Sequence, residues 1–424
     1  MSDVTAETIE VPALAGAVPA KIAKGWFERR RQARAQPLRG VPLHAYDEPV
    51  IVVRSLTGTF ALISDPAGVK RVLVDNVANY PKTEMERRFF SALFGDGLLS
   101  TDGELWRRHR RIMAPSFDPR SVAAYGPAIA RSCEDFLERW GQLDDGVERD
   151  ITKDMSSLTL LIIARTMFST DTEEVIDLVA RTMSEGFEGV DFSLLDILPI
   201  IGPHRMRRRI RDMEAKFRPL DAAIEKMVAE RAAQPDGVVA DLLGRLVAAT
   251  DLETGGGAMT PKEVRDQVVT IFIAGHETMA QAMSWTWYLL DRHPAVARRL
   301  HAELDEVLGG RVATQDDLPR LVYTRRVVEE SMRLYPPAAG VSTRIALADD
   351  EVAGVKIPKG TQVGILPWVM HRHRRLWDEP ERFDPDRFSP ERSAGRHRFA
   401  YMPFGGGPRV CIGQGMAMNE AVII

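Results

Sequence analysis

Apolar residues recur at three- and four-residue intervals through most of the chain between Asp102 and Arg333. This spacing gives each segment one apolar face and predicts amphipathic helices, because an α-helix has 3.6 residues per turn. The predicted helices cover residues 105–115, 123–140, 151–168, 172–186, 206–233 and 240–250. So many consecutive helices indicate a mainly α fold.

The segment that begins at Thr260 predicts one unusually long helix. Thr260 and Glu263 have the spacing of a capping box, and Pro261 occupies the first helical position, where its missing N–H costs nothing. Apolar periodicity then continues to Pro294. A helix of about 33 residues is roughly 50 Å long at about 1.5 Å per residue, so we expect it to cross the whole molecule.

β-Structure is predicted only in short pieces near the two ends of the chain. Residues 50–55 and 59–64 are β-branched runs joined at residues 57–58, which predicts a hairpin. Near the C-terminus the pattern predicts strands over residues 352–357 and 362–366, among many prolines. The fold class expected from the sequence is therefore mainly α with a minor β part.

Composition and charge exclude several classes of protein. Apolar residues make up 45% and charged residues 27% of the 424 residues, which excludes general disorder. The 56 basic and 60 acidic residues leave a net charge of −4, which argues against bulk attraction to nucleic acid. Two cysteines are too few for a disulfide framework and suit a reducing cytoplasm. No apolar run reaches the roughly 18–20 residues of a membrane span, and we expect a cytoplasmic protein. Residues 1–45 contain four prolines and are expected to form a lead-in. No domain boundary is visible after them, so we expect a single domain over residues 46–424.

The glycine-rich stretch over residues 404–413 carries the most specific chemical signal. Its three consecutive glycines let the backbone approach a flat partner with no Cβ in the way. The residues after Cys411 favour a helix, whose N-terminal amide groups stabilise a thiolate, and Arg409 can pair with a carboxylate. This combination suits a haem iron with an axial cysteine. A buried structural cysteine beside a glycine turn is the alternative interpretation of any lone cysteine.

The same stretch resembles the haem-binding signature of the cytochrome P450 family, Phe-x-x-Gly-x-Arg-x-Cys-x-Gly, and meets each fixed position. Three further family motifs occur in the right order upstream, so the resemblance covers roughly residues 50–424. It implies a soluble, bacterial-type haem-thiolate monooxygenase with a triangular helical body, small antiparallel sheets and haem b, with Cys411 as the metal ligand. The residues that it assigns to cofactor binding are Trp106, Arg110, Ala274, Gly275, Arg344, Phe404, Gly405, Arg409, Cys411 and Gly413.

The middle of the long helix contains the sequence Ala-Gly-His-Glu-Thr. Glycine costs about 1 kcal/mol inside a helix, so we expect the missing side chain of Gly275 to leave room for a ligand. Ala274 and Thr278 share its face, and a threonine hydroxyl there can bond back to a carbonyl and hold a water. A packed helix with a structural glycine is the alternative. The resemblance makes Glu277 and Thr278 the catalytic pair that delivers protons during oxygen activation, and we expect His276 to be a core residue rather than an iron ligand.

Glu330 and Arg333 lie on one predicted helical face, a spacing that usually marks a surface ion pair. The resemblance instead implies the Glu-x-x-Arg pair of the family. Arg387 would complete it in a buried structural network that shapes the loop before Cys411. Arg382 lies in a similar local sequence, but the number of residues between the motif and Cys411 favours Arg387 as the third member of the network.

Haem carries two propionates, which need cationic partners. The resemblance assigns them to Trp106, Arg110, Arg344 and Arg409. We expect the neighbouring Arg107, Arg108 and Arg111 to be exposed, where they would meet an acidic electron donor.

The variable pocket walls of the family correspond here to residues 89–98, 187–198, 271–274 and 338–341. The candidate substrate contacts within them are Phe89, Phe90, Phe94, Phe272 and Val341, each of which also fits an ordinary core position. They indicate a small-molecule organic substrate that is apolar and of medium to large size. The resemblance implies hydroxylation or epoxidation by a monomer that uses O₂ and NAD(P)H. The electrons would come through a ferredoxin and its reductase, or an equivalent flavoprotein.

The chain ends 13 residues after Cys411, where family members add a β-hairpin that touches substrate. We therefore expect this hairpin to be missing. A non-catalytic haem-thiolate sensor, which needs no Glu277–Thr278 pair, and an inactive truncated paralogue stay open as alternatives. A peroxide-using enzyme would need no redox partner, but such members often carry Arg–Pro in place of the acid–threonine pair.

Overall fold

The computed structural model describes residues 41–55, 58–169, 201–233, 241–251 and 257–424, together with residues 38, 178 and 182. Three predicted features lie almost entirely outside the described residues. They are the helix over 172–186, the pocket wall over 187–198 and the lead-in over 1–45.

Helices form most of the described structure. In chain order they are α1 (Pro66–Lys70), α2 (Glu84–Phe94), α3 (Gly103–Met113), α4 (Pro119–Gly141), α5 (Ile151–Phe168), α6 (Ile201–Ala232), α7 (Leu242–Ala248), α8 (Pro261–Arg292), α9 (Pro294–Leu308), α10 (Val322–Leu334), α11 (Pro367–Met370), α12 (Pro390–Ser393) and α13 (Gln414–Ile423). The bounds of α5 are the predicted ones, and α3, α4, α6 and α7 overlap the predicted helical segments. None of these helices combines the length and the apolar character that crossing a bilayer requires.

The predicted long helix is α8, and the predicted capping box sets its start. The Thr260 hydroxyl accepts a hydrogen bond from the Glu263 amide at 3.2 Å, and the Glu263 carboxylate accepts one from the Thr260 amide at 2.8 Å. The helix has 32 residues, which makes it about 48 Å long. It packs against α5, α6, α10 and α13, so helices from both halves of the chain share it as a common surface.

The strands are short and lie outside the helical body. In chain order they are β1 (Val50–Ser55), β2 (Gly58–Ile63), β3 (Thr250–Asp251), β4 (Gly257–Ala258), β5 (Arg344–Ile345), β6 (Asp350–Val352), β7 (Val355–Ile357) and β8 (Gln362–Gly364). β1 and β2 form the predicted hairpin, and the largest described sheet has the order β1-β2-β8-β5. One pairing differs from the expected antiparallel sheets, because β2 and β8 run parallel. Most of the chain separates these two strands, which leaves ample length for the crossover that a parallel pair needs.

The single strand predicted over residues 352–357 is in fact a hairpin. β6 and β7 are antiparallel and pair Val352 with Val355. The two residues between them, Ala353 and Gly354, have φ angles of +48° and +78°. Positive φ at both positions is typical of a type I′ turn, which reverses the chain within two residues. Alternation of apolar residues alone does not show such a turn.

A charged network in α10 has no solvent exposure. The side chains of Glu330 and Arg333 are 0% exposed, and two guanidinium nitrogens of Arg333 donate to the two carboxylate oxygens at 2.6 and 2.8 Å. Arg387 lies 3.4 Å from the same carboxylate. Arg333 also donates to three backbone carbonyls of the segment that leads toward Cys411. The rival candidate, Arg382, points its side chain instead at an exposed glutamate.

Glu330→Gln is expected to lower the free energy of unfolding by about 3–5 kcal/mol, because it removes the hydrogen-bonded counter-charge of the fully buried Arg333 and one of the carboxylates near Arg387. Asp75→Asn removes one partner of the exposed Lys70–Asp75 pair and is the control, with an expected loss of at most about 1 kcal/mol. Urea unfolding of both variants measures the difference. A loss in Glu330→Gln no greater than that of the control would contradict a structural role for the network.

Candidate active site

A cavity of about 1390 Å³ lies between α8 and the loop before α13. Sites for one small molecule usually have volumes of about 300–1,000 Å³, so this cavity has room for a large cofactor and a substrate together. Cys411 lines it from the loop, whereas Ala274 and Thr278 line it from α8. The two segments that the sequence singled out for chemistry therefore meet in one space.

A tight loop presents Cys411 to this cavity. The Cys411 amide donates a hydrogen bond to the carbonyl of Phe404 at 2.9 Å and closes the loop. Gly405 and Gly407 have φ angles of +73° and +69°, which glycine adopts without strain. A Cβ on Gly407 would also clash with the carbonyl oxygen of Leu73. Part of the glycine platform therefore serves packing within the protein and not only the approach of a flat partner.

The surroundings of Cys411 shift the pKa of its thiol in opposite directions. Burial raises the pKa of the Cys411 thiol, whereas the Gly413 amide and the Arg110 guanidinium lower it. α13 begins at Gln414, so the sulfur lies just ahead of a helix N-terminus, which favours the thiolate. A metal ion bound to the sulfur would keep it deprotonated, as the thiolate. The other cysteine, Cys133, belongs to the core, where burial raises the pKa of its thiol to about 12.

The α8 side of the cavity combines small and polar residues. Ala274, Glu277 and Thr278 line the cavity, and the Thr278 hydroxyl donates to the Ala274 carbonyl at 2.7 Å. The Glu277 carboxylate accepts a hydrogen bond from the side chain of Gln281 at 3.2 Å. A carboxylate and a hydroxyl that are adjacent in sequence thus open into the same space. His276 points the other way and is buried against a serine of α5, as a core residue.

Gly275 has a packing role that is separate from the expected one. A Cβ at this position would lie 2.7 Å from the terminal methyl of Ile163 on α5. The residue also lines the cavity, and so does Ile163. Gly275 therefore lets α5 approach α8, whereas its expected role in leaving room for a ligand stays a prediction.

Positive groups converge on one edge of the cavity. Arg344 and Lys82 line it and are only 5% and 6% exposed. Burial, and next the charge of Arg409, lowers the pKa of Arg344 to about 10 and that of Lys82 to about 8. The Nε atom of Arg344 is buried and has no hydrogen-bond partner among the described residues. Buried cations are stable only beside an anion, so this edge is suited to one.

Arg409 and Trp106 extend this cationic edge. The guanidinium of Arg409 lies 4.2 Å from the centre of the Trp106 ring and pairs with Asp102, the N-cap of α3. Arg110 lines the cavity from the same helix, and burial lowers the pKa of its guanidinium. Sequence reasoning missed Lys82, because it belongs to no motif and only the folded chain brings it beside Arg344.

These observations show that the residues present fit a haem. The sulfur of Cys411 faces the cavity, and a Cβ at Gly405 would meet nothing closer than a valine methyl at 3.6 Å, so the loop leaves a smooth surface beside the sulfur. The cationic edge has an unpartnered buried nitrogen on Arg344, which suits the negative propionates. An iron ligand, a surface for the ring and partners for the carboxylates are therefore present together.

The remaining wall of the cavity is mostly apolar. Phe89, Phe90, Phe94 and Val341 lie in it. Phe272 does not, since it is 1% exposed and belongs to the hydrophobic core. The prediction that it contacts substrate was therefore wrong. The helix face that carries Ala274 and Thr278 also carries the residues three and four positions before Ala274. Position 271 therefore faces the cavity, whereas position 272 does not.

The basic face of α3 is less exposed than expected. Arg107 is exposed and pairs with Glu104 on its own helix. Arg108 is half-buried and donates to the carboxylate of Glu263 at 2.6 Å, because the start of α8 lies against α3. Arg111 is also half-buried and has a partner. The expectation of three exposed arginines holds for Arg107 alone.

A buried carboxyl also reaches the cavity, and the sequence does not reveal it. Glu420 on α13 lines the cavity and is 5% exposed. Burial raises its pKa to about 8, so the carboxyl is protonated at neutral pH.

Comparison with known proteins identifies the architecture. The family model of cytochrome P450 matches residues 32–424. The chain belongs to the cytochrome P450 family. The cyclooctat-9-en-7-ol 5-monooxygenase of Streptomyces melanosporofaciens is 37% identical to it over 336 residues, which are 78% of this chain and 71% of that protein. The pentalenene oxygenase of Streptomyces avermitilis is 34% identical over 333 residues, or 78% and 72% of the two chains.

A solved structure agrees with this assignment. The crystal structure of the cytochrome P450DA haem domain matches with a TM-score of 0.76 at 29% identity, over 88% of this chain and 82% of that one. Proteins of the cytochrome P450 family bind haem through a cysteine thiolate to the iron. This P450 is therefore a haem-thiolate monooxygenase, which is an oxidoreductase. Monooxygenases of this family use O₂ and redox partners and act on organic substrates.

Glu420→Gln is expected to change how the stability of this P450 depends on pH. The folded pKa of about 8 exceeds the ordinary carboxyl value of 4.5, so between these values the folded state holds a proton that the unfolded state has lost. The free energy of unfolding of the wild type is expected to fall as pH rises through this window, by up to about 1.4 kcal/mol per pH unit. Urea unfolding between about pH 5 and pH 9 measures the slope.

The glutamine variant is expected to lack that slope, whereas Glu306→Gln, at an exposed position of α9, is expected to keep it. The same slope in the wild type and in Glu420→Gln would show that Glu420 is ionised in the folded protein.

Proposed function

We propose that this P450 hydroxylates or epoxidises an apolar, alkene-containing hydrocarbon or hydrocarbon-rich alcohol of terpenoid size. Each turnover combines the substrate with O₂, two electrons and two protons, and yields the oxygenated product and one water. The electrons come from NAD(P)H through a ferredoxin and its NAD(P)H-dependent reductase, or through an equivalent flavoprotein.

The observation that carries this proposal is the composition of the cavity. It combines a cysteine sulfur on one wall, the Glu277–Thr278 pair on another and a mostly apolar remainder. The acid–hydroxyl pair has no use in a protein that only binds haem. A monooxygenase needs it, because dioxygen must receive protons inside a cavity that otherwise excludes water.

Cys411 would hold the haem iron in this proposal. Bound haem would supply the activation of oxygen, and a thiolate ligand from Cys411 would favour cleavage of the O–O bond. The cofactor would be bordered by Phe404, Gly405, Gly413, Ala274 and Gly275. Its propionates would be held by Arg110, Arg344, Arg409 and Lys82, with Trp106 packed against Arg409. Each of these residues lines the cavity, so the assignment needs no rearrangement of the chain.

Glu277 and Thr278 would manage the protons. The Thr278 hydroxyl uses its own hydrogen in the bond to the Ala274 carbonyl, so its oxygen remains free to accept a hydrogen bond from a water in the cavity. Glu277 lies beside it with an exposed carboxylate that can exchange protons. We assign Thr278 to hold the water and Glu277 to supply it with protons.

The substrate class follows from the wall and from the relatives together. The rings of Phe89 and Phe90 contact each other edge to face at 5.6 Å, and those of Phe90 and Phe94 are stacked at 5.8 Å. Such a wall offers a hydrocarbon extensive apolar contact and offers water no hydrogen bonds. The two relatives are named for cyclooctat-9-en-7-ol and pentalenene, both of which are mostly hydrocarbon and contain an alkene.

The surroundings of the reaction follow from the same assignment. Arg107 lies on the exposed face of α3 in a surface ion pair with Glu104, and such a pair is weak enough for an acidic ferredoxin to compete for the arginine. The two free cysteines suit the cytoplasm, where NAD(P)H is also available. We assign one domain to residues 46–424, because α8 packs against helices from both halves of the chain. The monomer that the family resemblance implies is kept as part of the proposal.

Turnover with a surrogate ferredoxin and ferredoxin reductase tests the proposal. The haem-loaded protein receives NADPH, ¹⁸O₂ and either pentalenene or cyclooctat-9-en-7-ol, and we expect a product that contains one labelled oxygen atom. Omission of the ferredoxin is expected to abolish it. Product with hydrogen peroxide alone would indicate a peroxide-using enzyme instead, and haem binding without any turnover would indicate a sensor.

Thr278→Ala is expected to lower the product formed per NADPH by about tenfold or more, because general acid–base groups commonly contribute about 10²–10⁴ in rate. NADPH oxidation is expected to continue, but its electrons would reduce O₂ without forming the oxygenated product. Thr286→Ala is the matched control, since Thr286 makes the same bond back to its helix at 2.8 Å in the core. An equal yield per NADPH in Thr278→Ala and wild type would contradict the proton role.

Arg344→Leu is expected to speed the transfer of haem to apomyoglobin by roughly tenfold, because a charge-assisted hydrogen bond to a propionate is lost. Arg374→Leu removes an arginine from an exposed ion pair with Asp47 and is expected to change the rate less than about twofold. Equal rates of haem loss in Arg344→Leu and in this control would contradict the assignment.

A further inference from the structure

The loop between α2 and α3 lies directly against α8. Gly95 has a φ angle of +69°, and a Cβ there would clash with the carboxylate of Asp266. A Cβ on Gly97 would clash with the hydroxyl of Thr270. The two glycines therefore let the loop backbone approach α8 more closely than side chains would permit.

Two buried side chains of α8 bind this loop through its backbone. The Asp96 amide donates to Asp266 at 2.9 Å, and the Leu98 amide donates to the side-chain oxygen of Gln267 at 3.0 Å. Asp266 and Gln267 are both 0% exposed. The loop is thus held to α8 by hydrogen bonds that water does not weaken.

Gln267 also ties the loop to α3. Its side-chain nitrogen lies 3.0 Å from Nδ1 of His109, and Nε2 of His109 lies 3.2 Å from the Glu263 carboxylate. Because a carboxylate only accepts, Nε2 carries the hydrogen and Nδ1 accepts one from Gln267. This fixes the orientation of the amide, so its oxygen is the atom that receives the Leu98 N–H. His109 is 0% exposed and adjoins Arg110, which lines the cavity.

The loop carries a section of the cavity wall. Leu98 and Leu99 both line the cavity. The carbonyl of Leu99 accepts a hydrogen bond from the side chain of Lys82, which belongs to the cationic edge. The two leucines are therefore positioned between Gln267 on one side and Lys82 on the other. Gln267 itself is not among the residues that line the cavity.

We propose that Gln267 is a positioning residue that sets the Leu98–Leu99 wall of the cavity and thereby determines which ligands fit above the haem. It acts through the Leu98 amide and touches neither substrate nor the Glu277–Thr278 pair. The inference rests on the proposed function for the nature of the substrate, but the position of the wall does not depend on it.

The polar contacts of Gln267 explain why a glutamine is needed at this position. A side chain of the same length without the amide leaves the Leu98 N–H and Nδ1 of His109 unpaired in a buried place. Unpaired buried groups seek new partners, so the loop is expected to shift and to carry both leucines with it.

The test measures ligand binding to the haem-loaded protein without turnover. Imidazole is small and reports access to the iron, whereas 4-phenylimidazole carries a ring that reaches the wall. Gln267→Met is expected to change the ratio of their dissociation constants by about fivefold or more, read from the shift of the Soret band. Thr286→Val is the matched control, because it also removes a buried hydrogen bond from α8, and a change below about twofold is expected.

Gly97→Ala tests the same wall from the opposite side. Its methyl group would push the loop away from Thr270 while Gln267 stays intact. The ratio of the two dissociation constants is expected to change in the same direction as in Gln267→Met. If Gln267→Met does not retain haem, the result for Gly97→Ala alone tests the proposal.

An unchanged ratio in haem-loaded Gln267→Met would overturn the proposal, as would an unchanged ratio in Gly97→Ala. A changed ratio in a protein that oxidises no terpenoid would support the positioning role while contradicting the proposed substrate class.

Discussion

The crossing of α8 with α5 is the packing contact on which the cavity depends. Gly275 lets Ile163 approach the backbone of α8 where the two helices cross. With the helices packed in this way, Ala274 and Thr278 face the cavity and Phe272 lies in the core. The single glycine thus links a packing constraint to the placement of the proposed catalytic groups.

Charge is buried at two places next to the proposed cofactor site. The Glu330–Arg333 pair is fully buried and holds the chain segment that leads to the cysteine loop. On the cavity edge, Arg344 and Lys82 are buried, and the nearby carboxylates of Glu86 and Asp102 offset the cost of that burial only in part. Burial of this kind costs free energy unless an anion completes it, and a haem with two propionates supplies two. Folding and cofactor binding are therefore expected to be coupled.

Features set by local sequence or by a recognised motif could be predicted, whereas features set by long-range contacts outside any motif could not. The bounds of α5 and the start of α8 follow from periodicity and from the cap at Thr260, which a few neighbouring residues determine. The cysteine loop was recognisable because its function requires a fixed spacing. Lys82, Glu420 and Gln267 were missed, because each is distinguished only by partners or burial that the folded chain provides.

The carbon monoxide difference spectrum of the dithionite-reduced protein tests most directly the claim that Cys411 supplies a thiolate to the haem iron. The spectrum is recorded for the wild type, for Cys411→Ala and for Cys133→Ala, which removes the cysteine of the core. We expect the red-shifted Soret band of haem-thiolate proteins in the wild type and in Cys133→Ala, and its loss in Cys411→Ala. A wild-type band at the shorter wavelength of haem with a neutral ligand, or a red-shifted band that survives in Cys411→Ala, would contradict the claim.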